Sequence, residues 1–356
     1  MAPGSGRQPP VFLLPSPHLT RDEMDDRTHA PTRRLQRSIE TGEYDDAISC
    51  LREFESSATD RKAALRAVRD LADDQSVSVA PLLPELTARL TDDERSVRLT
   101  AAKLFVAVAR TEPSAAAEYV DALGDRLADE AEFYYVRARS AEALGYVALD
   151  HPEEVASPEL LADLRIGLSF DEPEVKEKLA KALASVAMGD PGRLRHHAAD
   201  LADHLDDDDE LVRYHLCTAL TAIGCESPTA LSAASPALVE RLSEDDVHVR
   251  ARAAEALALL ACEEPDQVAA SAEDVPAVDD ADPFVTDRLR FARDALGGET
   301  ARPDGVGTVD AVRGTAAEAE AAIETPDAEH ACPHCGLELP ETGPPACPGC
   351  GAPRRP

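Results

Sequence analysis

The chain has 356 residues, with 36 basic against 69 acidic side chains and a formal net charge of −33. This charge argues against a nucleic-acid-binding surface, which is usually basic. Aromatic residues make up only 4% and tryptophan is absent, so the core must be built from Ala, Leu and Val, which favours closely packed helices over a sandwich or barrel.

The sequence also gives expectations for cellular location. No apolar run approaches the roughly 20 residues that a membrane span needs, and residues 9–15 are too short and proline-rich for a signal peptide. We therefore expect a cytoplasmic protein with no membrane partner.

The acidic residues are spread over the whole chain, and only five of the 36 basic residues are lysine, which leaves 31 arginines. One interpretation is an acidic surface for a basic partner. The interpretation we favour is adaptation to high internal salt, because dense carboxylates keep a protein hydrated and soluble. The composition thus indicates a halophile, and more specifically a haloarchaeal source.

Residues 1–30 are rich in proline, glycine and charge without periodicity and are predicted to be a disordered extension. A repeat then dominates residues 31–296. A valine followed by a basic residue recurs at intervals of 39, 39, 37 and 37, at Val97, Val136, Val175, Val212 and Val249. Large apolar residues follow each valine eight and eleven positions later: Phe105 and Val108, Leu144 and Val147, Leu183 and Val186, Leu220 and Ile223, Leu257 and Leu260. This register over five copies identifies a repeat protein.

A second helix with paired leucines lies between successive copies, at Leu86/Leu90, Leu123/Leu127, Leu164/Leu168, Leu201/Leu205 and Leu238/Leu242. Each unit is therefore a first helix A, an acidic turn, a second helix B and a looser turn. Because neither helix can bury its apolar stripe alone, the units must stack on their neighbours. The predicted fold class is all-α, an α-solenoid.

Helical hairpins of this length, with Asp-x-x-x-Val-Arg opening the second helix, resemble HEAT repeats, in the short HEAT-like form named after phycobilisome lyase subunits. The resemblance covers roughly residues 43–296, or about seven hairpins. It implies that the acid and the basic residue of successive repeats form a hydrogen-bonded ladder. The matching pairs are Asp93/Arg98, Asp171/Lys176, Asp208/Arg213 and Asp245/Arg250, and Glu132 stands at the acid position of the irregular third hairpin.

Three local features have two interpretations each. The aromatics at 133–135 anchor a partner or, as we favour, fill space around an insertion. The acidic run 206–210 is compatible with a Ca²⁺ site or with a helix cap. We favour the helix cap, because the run lacks the spaced ligands and the turn glycine of a calcium loop. The B helices carry 15 basic and 7 acidic residues. One interpretation is a groove for an acidic partner. The interpretation we favour is that the basic residues are used in the ladder.

Residues 297–330 are predicted to be a flexible acidic linker that starts at Gly297-Gly298. A short helix over about 315–323 is compatible with the pattern, but it has little apolar surface with which to dock.

Residues 331–356 contain Cys332, Cys335, Cys347 and Cys350, spaced Cys-x2-Cys-x11-Cys-x2-Cys. Two such pairs present four thiolates in a tetrahedron, which suits Zn²⁺ first and iron second. The segment resembles small zinc-ribbon domains, so we predict one structural Zn²⁺. Four cysteines fill the coordination shell of the metal, which leaves no open position for a catalytic site. Disulfides are disfavoured because no export signal accompanies the cysteines.

The leading functional hypothesis is a non-enzymatic scaffold, in which the solenoid binds a protein partner and the ribbon adds a second contact. The sequence shows no nucleotide loop, nucleophile elbow or catalytic carboxylate pair, and His196, His197, His204 and His215 are interpreted as surface and helix residues. One alternative is a HEAT-repeat enzyme, such as a bilin lyase or an alkyl-base DNA glycosylase. Another is a nucleic-acid accessory factor that acts through the ribbon.

Overall fold

A computed structural model describes residues 21–155, 157–277 and 282–324, with side chains from residue 30 onward. Within these ranges the chain is helical and forms no strand. The α-helices are α1 Arg21–Glu40, α2 Tyr44–Glu53, α3 Ala58–Asp73, α4 Leu83–Thr87, α5 Arg95–Thr111, α6 Pro113–Ala117, α7 Val120–Ala128, α8 Tyr134–Asp150, α9 Pro152–Val155, α10 Pro158–Ile166, α11 Pro173–Gly189, α12 Ala198–Ala202, α13 Glu210–Glu226, α14 Ser235–Glu240, α15 Val247–Glu263, α16 Pro283–Leu296 and α17 Val309–Glu324.

The B helices of the repeats are α3, α5, α8, α11, α13, α15 and α16, and each packs beside the next along the chain. Every apolar residue in the three predicted columns, from Val97 to Leu260, is at most 1% exposed. The paired leucines of the A helices are also buried. The predicted all-α repeat solenoid is therefore confirmed, and its core is a continuous seam between A and B helices.

Small residues set the spacing of the B helices. A Cβ atom added at Gly145 of α8 would lie 2.8 Å from the Cα atom of Ala182 in α11. One added at Gly189 would lie 2.0 Å from the carbonyl oxygen of Ala148. These two helices approach so closely that only glycine fits at these two contacts.

Aspartates begin several B helices. The Oδ1 atom of Asp209 accepts hydrogen bonds from the backbone N–H groups of Leu211 (2.9 Å) and Val212 (3.2 Å), and Asp246 and Asp282 cap α15 and α16 in the same way. The acidic run 206–210 thus contains a helix cap, as its favoured interpretation predicted, because a carboxylate satisfies N–H groups that have no partner within the helix.

Basic residues at the start of the B helices form the expected ladder, with Glu132 as one of its acids, but the four predicted aspartates are not part of it. Each basic side chain binds a carboxylate in the turn of the following repeat. The contacts are Arg61–Asp92 at 2.7 Å, Arg98–Glu132 at 2.7 Å, Lys176–Asp207 at 2.5 Å and Arg213–Glu244 at 2.8 Å. The ladder therefore links one repeat to the next.

The assignment of four aspartates to the ladder is wrong, because the side chains of all four are exposed: Asp93, Asp171, Asp208 and Asp245. In three of these turns the residue one position earlier takes the role. Arg213 shows why the earlier residue is the one that is bound. Its Nη1 atom donates to the carbonyl oxygen of Asp207 at 2.6 Å. The chain turns inward there, so the next aspartate faces solvent. The earlier position in the fourth turn is Phe170, and the guanidinium of Arg137 lies 4.5 Å from its ring centroid.

The two ends of the described chain also differ from prediction. Residues 21–30, assigned to a disordered extension, are helical in α1, whereas residues 1–20 lie outside the described residues. Residues 309–324, assigned to a flexible linker, form the 16-residue helix α17. This helix buries Val312, Ala319 and Ile323 against the B helices, so it has enough small apolar surface to dock.

The corrected ladder predicts unequal effects at two adjacent acids. Glu244→Gln weakens a largely buried ion pair with Arg213, and we expect it to lower the free energy of unfolding by about 2 kcal/mol. Asp245→Asn changes an exposed side chain and should alter stability by less than about 0.5 kcal/mol. Chemical denaturation followed by circular dichroism measures both values. Equal losses, or a larger loss for Asp245→Asn, would contradict the assignment.

Candidate functional site

The most specific side-chain arrangement in the described chain lies where α17 crosses the B helices. Helix α17 packs against α13 and α11, and its contacts extend to α8, α15 and α16. We use the name B-helix face for the side chains of the B helices that contact α17 or the turn before it: Lys181, Tyr214, His215, Arg252, Glu255 and Arg288.

One stripe of α17 makes these contacts. The residues that touch the B-helix face or are buried in this stripe are Val312, Thr315, Ala316, Ala319, Glu320 and Ile323. Their spacing of three, one, three, one and three residues places them on a single side of a helix. The apolar members are small or medium in size, which lets the helix backbone approach the face closely.

Glu255 is at the centre of the site, and its side chain is fully buried. Its Oε2 atom accepts hydrogen bonds from Nη1 of Arg252 at 2.9 Å and from Nε of Arg288 at 2.7 Å. Its Oε1 atom accepts from the backbone N–H of Gly307 at 2.8 Å. Charges this deeply buried are stable only when they are paired and hydrogen-bonded, and this carboxylate meets both conditions.

Both guanidinium groups also lie over the ring of Phe284, 4.9 Å from its centroid for Arg252 and 3.9 Å for Arg288. The aromatic face adds a cation–π attraction to two charges that have lost their water. Burial opposes the charge of Arg252, but Tyr214 and Glu255 outweigh it and raise the pKa of Arg252. At Arg288 burial dominates and lowers the pKa.

The same two arginines hold the first half of α17. Arg252 Nη2 donates to the carbonyl oxygen of Val312 at 3.1 Å and to Thr315 Oγ1 at 2.8 Å, and Arg288 Nη2 donates to Thr315 Oγ1 at 3.1 Å. The hydroxyl of Tyr214 donates to the carbonyl oxygen of Ala316 at 3.1 Å. The hydroxyl of one threonine thus connects both arginines to the docked helix.

Gly307 makes the turn into α17 compatible with this network. Its φ angle is +70°, and an added Cβ atom would lie 3.3 Å from Cδ2 of Leu259. A side chain there would be strained by the backbone and crowded by the core. Glycine therefore allows the Gly307 amide to reach Glu255.

A second anchor holds the other end of α17. Lys181 Nζ lies 2.6 Å from Oε1 of Glu320. Burial opposes the charge of this lysine, but the neighbouring Glu320 outweighs it, so the pKa of Lys181 is raised. Arg313 donates to the carbonyl oxygen of Leu149 at 2.8 Å and pairs with Asp150. Helix α17 is therefore fixed at several points between α8 and α16.

Glu177, His215 and Glu320 offer three ligand atoms within 4.8 Å of one another, by type a metal-binding set. However, Glu177 is paired with Lys178 at 2.5 Å and Glu320 with Lys181 at 2.6 Å. Two ammonium groups already neutralise the carboxylates, which disfavours a metal cation. Burial, together with these lysines, lowers the pKa of His215 well below its usual range, so the imidazole is neutral. His215 is thus a buried helix residue that faces α17.

The aromatic turn of the third hairpin forms a separate feature. Phe133, Tyr134 and Tyr135 contact one another with ring centroids 4.6–5.3 Å apart, and Arg95 lies 4.4 Å from the centroid of Phe133. All three rings are half-buried, so the interpretation that they are buried and fill space around an insertion is only partly correct. Phe133 and Tyr134, together with Arg137, line a cleft of about 450 Å³ at the N-terminal ends of α5 and α8.

The predicted zinc ligands Cys332, Cys335, Cys347 and Cys350 lie outside the described residues. The other cysteines, Cys50, Cys217, Cys225 and Cys262, are free thiols that are buried or half-buried. Burial raises the pKa of Cys217 and of Cys225 to about 12. These thiols stay protonated and act as packing residues.

The B-helix face was missed at the sequence level, although two signals were present. Polar residues recur three positions after each repeat valine, at Thr100, Arg139, Lys178, His215 and Arg252, and Arg288 likewise follows Val285 by three. A column of polar residues inside an otherwise apolar helix indicates a surface with a specific role. In α17, Val312, Ala316, Ala319 and Ile323 have the spacing of a docking stripe.

Comparisons with known proteins agree with this architecture. Residues 198–285 match the family model described as HEAT repeats. One engineered protein in a crystal structure from the Northeast Structural Genomics Consortium has a TM-score of 0.60 and 19% identity, and the match covers 86% of this chain and 80% of that chain. A second engineered protein from that consortium has a TM-score of 0.53 and 24% identity, covering 61% and 98%.

A third solved structure is of computationally designed armadillo repeat proteins for modular peptide recognition, with a TM-score of 0.50, 21% identity, and coverage of 59% of this chain and 97% of that chain. No curated protein matches the chain. None of the described helices is long and apolar enough to cross a bilayer. The chain is therefore an α-helical repeat solenoid similar in fold to HEAT and armadillo proteins, with HEAT repeats identified over residues 198–285.

Proposed function

We propose that the chain is a non-enzymatic protein-interaction scaffold and that its B helices bind an acidic helical segment of a protein partner. The observation that carries this proposal is α17 itself. Its acidic side chain Glu320 and its hydroxyl Thr315 are bound by Lys181, Arg252 and Arg288 of the B-helix face. The face thus has the chemistry of a helix-binding groove, and α17 displays the kind of ligand that fits it.

Charge explains why an acidic segment is selected. Helix α17 contains four acids and one arginine, yet it docks on a protein of net charge −33 because the B helices supply basic side chains where it lies. The designed armadillo proteins named for modular peptide recognition support the proposal at the level of fold.

A further basic area continues beyond α17 on α3, α5 and α8. Lys103 is largely exposed, and partial burial, followed by the charges of Arg139, Arg69 and Arg66, lowers its pKa. Arg139 also pairs with Glu142 at 2.6 Å, and Arg69 pairs with Asp70 at 3.0 Å. Lys103 and Arg66 are therefore the cations of this area that form no ion pair with an acid of the described chain. We assign this area, defined by Arg66, Lys103 and Arg139, to the partner.

The alternatives have less support. An enzyme such as a bilin lyase or a DNA glycosylase is suggested by the repeat alone, whereas the buried arginines beside Glu255, Arg252 and Arg288, are bound to α17 by direct hydrogen bonds. A nucleic-acid role conflicts with the charge of −33.

We also propose that Cys332, Cys335, Cys347 and Cys350 bind one structural Zn²⁺ and that this ribbon provides a second contact. The first of these cysteines follows Glu324, the last residue of α17, by eight residues. Eight residues span at most about 28 Å. A docked α17 would therefore keep the ribbon close to the solenoid.

The scaffold proposal predicts that partner capture depends on the uncovered basic area. The immobilised full chain in multimolar KCl should retain a protein from the native lysate, and Lys103→Glu/Arg139→Glu should lower the captured amount at least about tenfold. The control Arg52→Glu/Arg193→Glu makes the same charge change on exposed arginines of A helices and turns and should retain it. Capture is measured by quantitative mass spectrometry. No partner for the wild type, or equal capture by both variants, would count against the scaffold.

The zinc proposal predicts one zinc per chain in the purified protein, measured by plasma mass spectrometry. Cys332→Ser/Cys335→Ser should lose the metal, because two of four ligands are removed. The matched control Cys225→Ser/Cys262→Ser should keep it, because these thiols lie on helices α13 and α15. Zinc well below one per chain, or loss of zinc in the control, would refute the site.

A further inference from the structure

Helix α17 does not continue the stack of hairpins. It lies across the B helices and follows a connection, residues 297–308, that contains three glycines with positive φ angles: Gly298 at +93°, Gly305 at +80° and Gly307 at +70°. These φ values are common only for glycine, so the connection turns tightly without belonging to a repeat. The helix is therefore attached to the solenoid as an additional element.

We infer that α17 is an exchangeable ligand of the B-helix face, and that a helix of the same pattern from a protein partner replaces it. This inference rests on the proposed function. The pattern follows from the contacts of α17. It has an apolar residue at Val312, a hydroxyl three positions later at Thr315, small residues at Ala316 and Ala319, and a carboxylate at Glu320.

The nature of the contacts makes α17 releasable. Only three of its apolar side chains, Val312, Ala319 and Ile323, are buried, and one of them is an alanine. Most of the remaining contacts are hydrogen bonds and ion pairs that a competing helix with the same groups would reproduce. Exchange would therefore replace each polar contact with an equivalent one.

The present occupant also leaves part of the face unsatisfied. Nε2 of His215 and Nε of Arg252 are buried and have no hydrogen-bond partner, and the closest carboxylate oxygen to His215, on Glu320, is 3.9 Å away. A buried polar nitrogen without a hydrogen-bond partner is unfavourable. A partner helix that presents an acceptor at either nitrogen gains a contact that α17 does not make, so it has a physical advantage over the helix in cis.

Competition is set by the effective concentration of the tethered helix. A short tether holds α17 at an effective concentration in the millimolar range, so a free peptide of the same sequence must compete with it. Weakening α17 in the chain, but not in the peptide, should therefore expose the face to binding in trans.

The test uses a fluorescently labelled peptide with the sequence of residues 305–324 and the full chain in multimolar KCl, with binding followed by anisotropy. Thr315→Val/Glu320→Gln in the chain removes the hydroxyl bound by both arginines and the charge bound by Lys181. The control Glu318→Gln makes the same loss of charge at an exposed position of α17. We expect the double variant to bind the peptide at least about tenfold more tightly than the wild type or the control.

The peptide that itself carries both substitutions should bind the double variant at least about tenfold more weakly than the unmodified peptide. Equal affinity of the unmodified peptide for all three chains would overturn the inference. A wild-type dimer in sedimentation that dissociates when the peptide is added would also overturn it, because the occupant would then be a second copy of the chain.

Hydrogen exchange on the wild type gives an answer that does not depend on any variant. If α17 leaves the face by itself, its amides exchange faster than those of α13 and α15. Exchange at the same slow rate as these helices would show that α17 is a permanent part of the fold and would overturn the inference.

The peptide assay and the capture assay fail independently. Peptide exchange without a captured partner supports the exchangeable binding of α17 but removes the scaffold proposal and, with it, the partner helix. Capture through Lys103 and Arg139 without peptide exchange does the opposite.

Discussion

The carboxylate of Glu255 lies between the guanidinium groups of Arg252 and Arg288 without access to solvent, and the end of the described chain depends on it. Without this negative charge, two buried arginines would be uncompensated, a loss of about 3–5 kcal/mol in typical proteins. The same carboxylate fixes the turn at Gly307, and the two arginines it neutralises hold Thr315. One acid thus connects two repeats to the docked helix.

The solenoid supplies the frame in which this arrangement is built. Stacked hairpins repeat each position of the B helix at a regular spacing, so residues three and six positions after the repeat valine form rows along one face. The ladder from Arg61–Asp92 to Arg213–Glu244 links successive turns and fixes their register. A rigid row of polar side chains is then available to bind an extended or helical segment.

The sequence alone predicted the repeat, the buried columns and the basic half of the ladder, because apolar periodicity reports packing directly. It misassigned the acids, since several adjacent carboxylates match the pattern and only backbone geometry decides which one turns inward. It missed the docking of α17 because an Ala- and Glu-rich segment resembles a linker, and its anchors are distant in sequence: Arg252 and Lys181 lie 60 and 139 residues before their contacts at Val312 and Glu320. The zinc ligands remain a prediction from spacing.

The central claim is that α17 is held on the B-helix face by defined polar contacts, and a double-mutant cycle between Lys181 and Glu320 tests it most directly. The measurement is the free energy of unfolding of the wild type, Lys181→Met, Glu320→Gln and the double variant. A buried pair 2.6 Å apart predicts a coupling free energy of about 1 kcal/mol or more. Additive effects, with no coupling between residues 139 positions apart, would contradict the docked position of the helix.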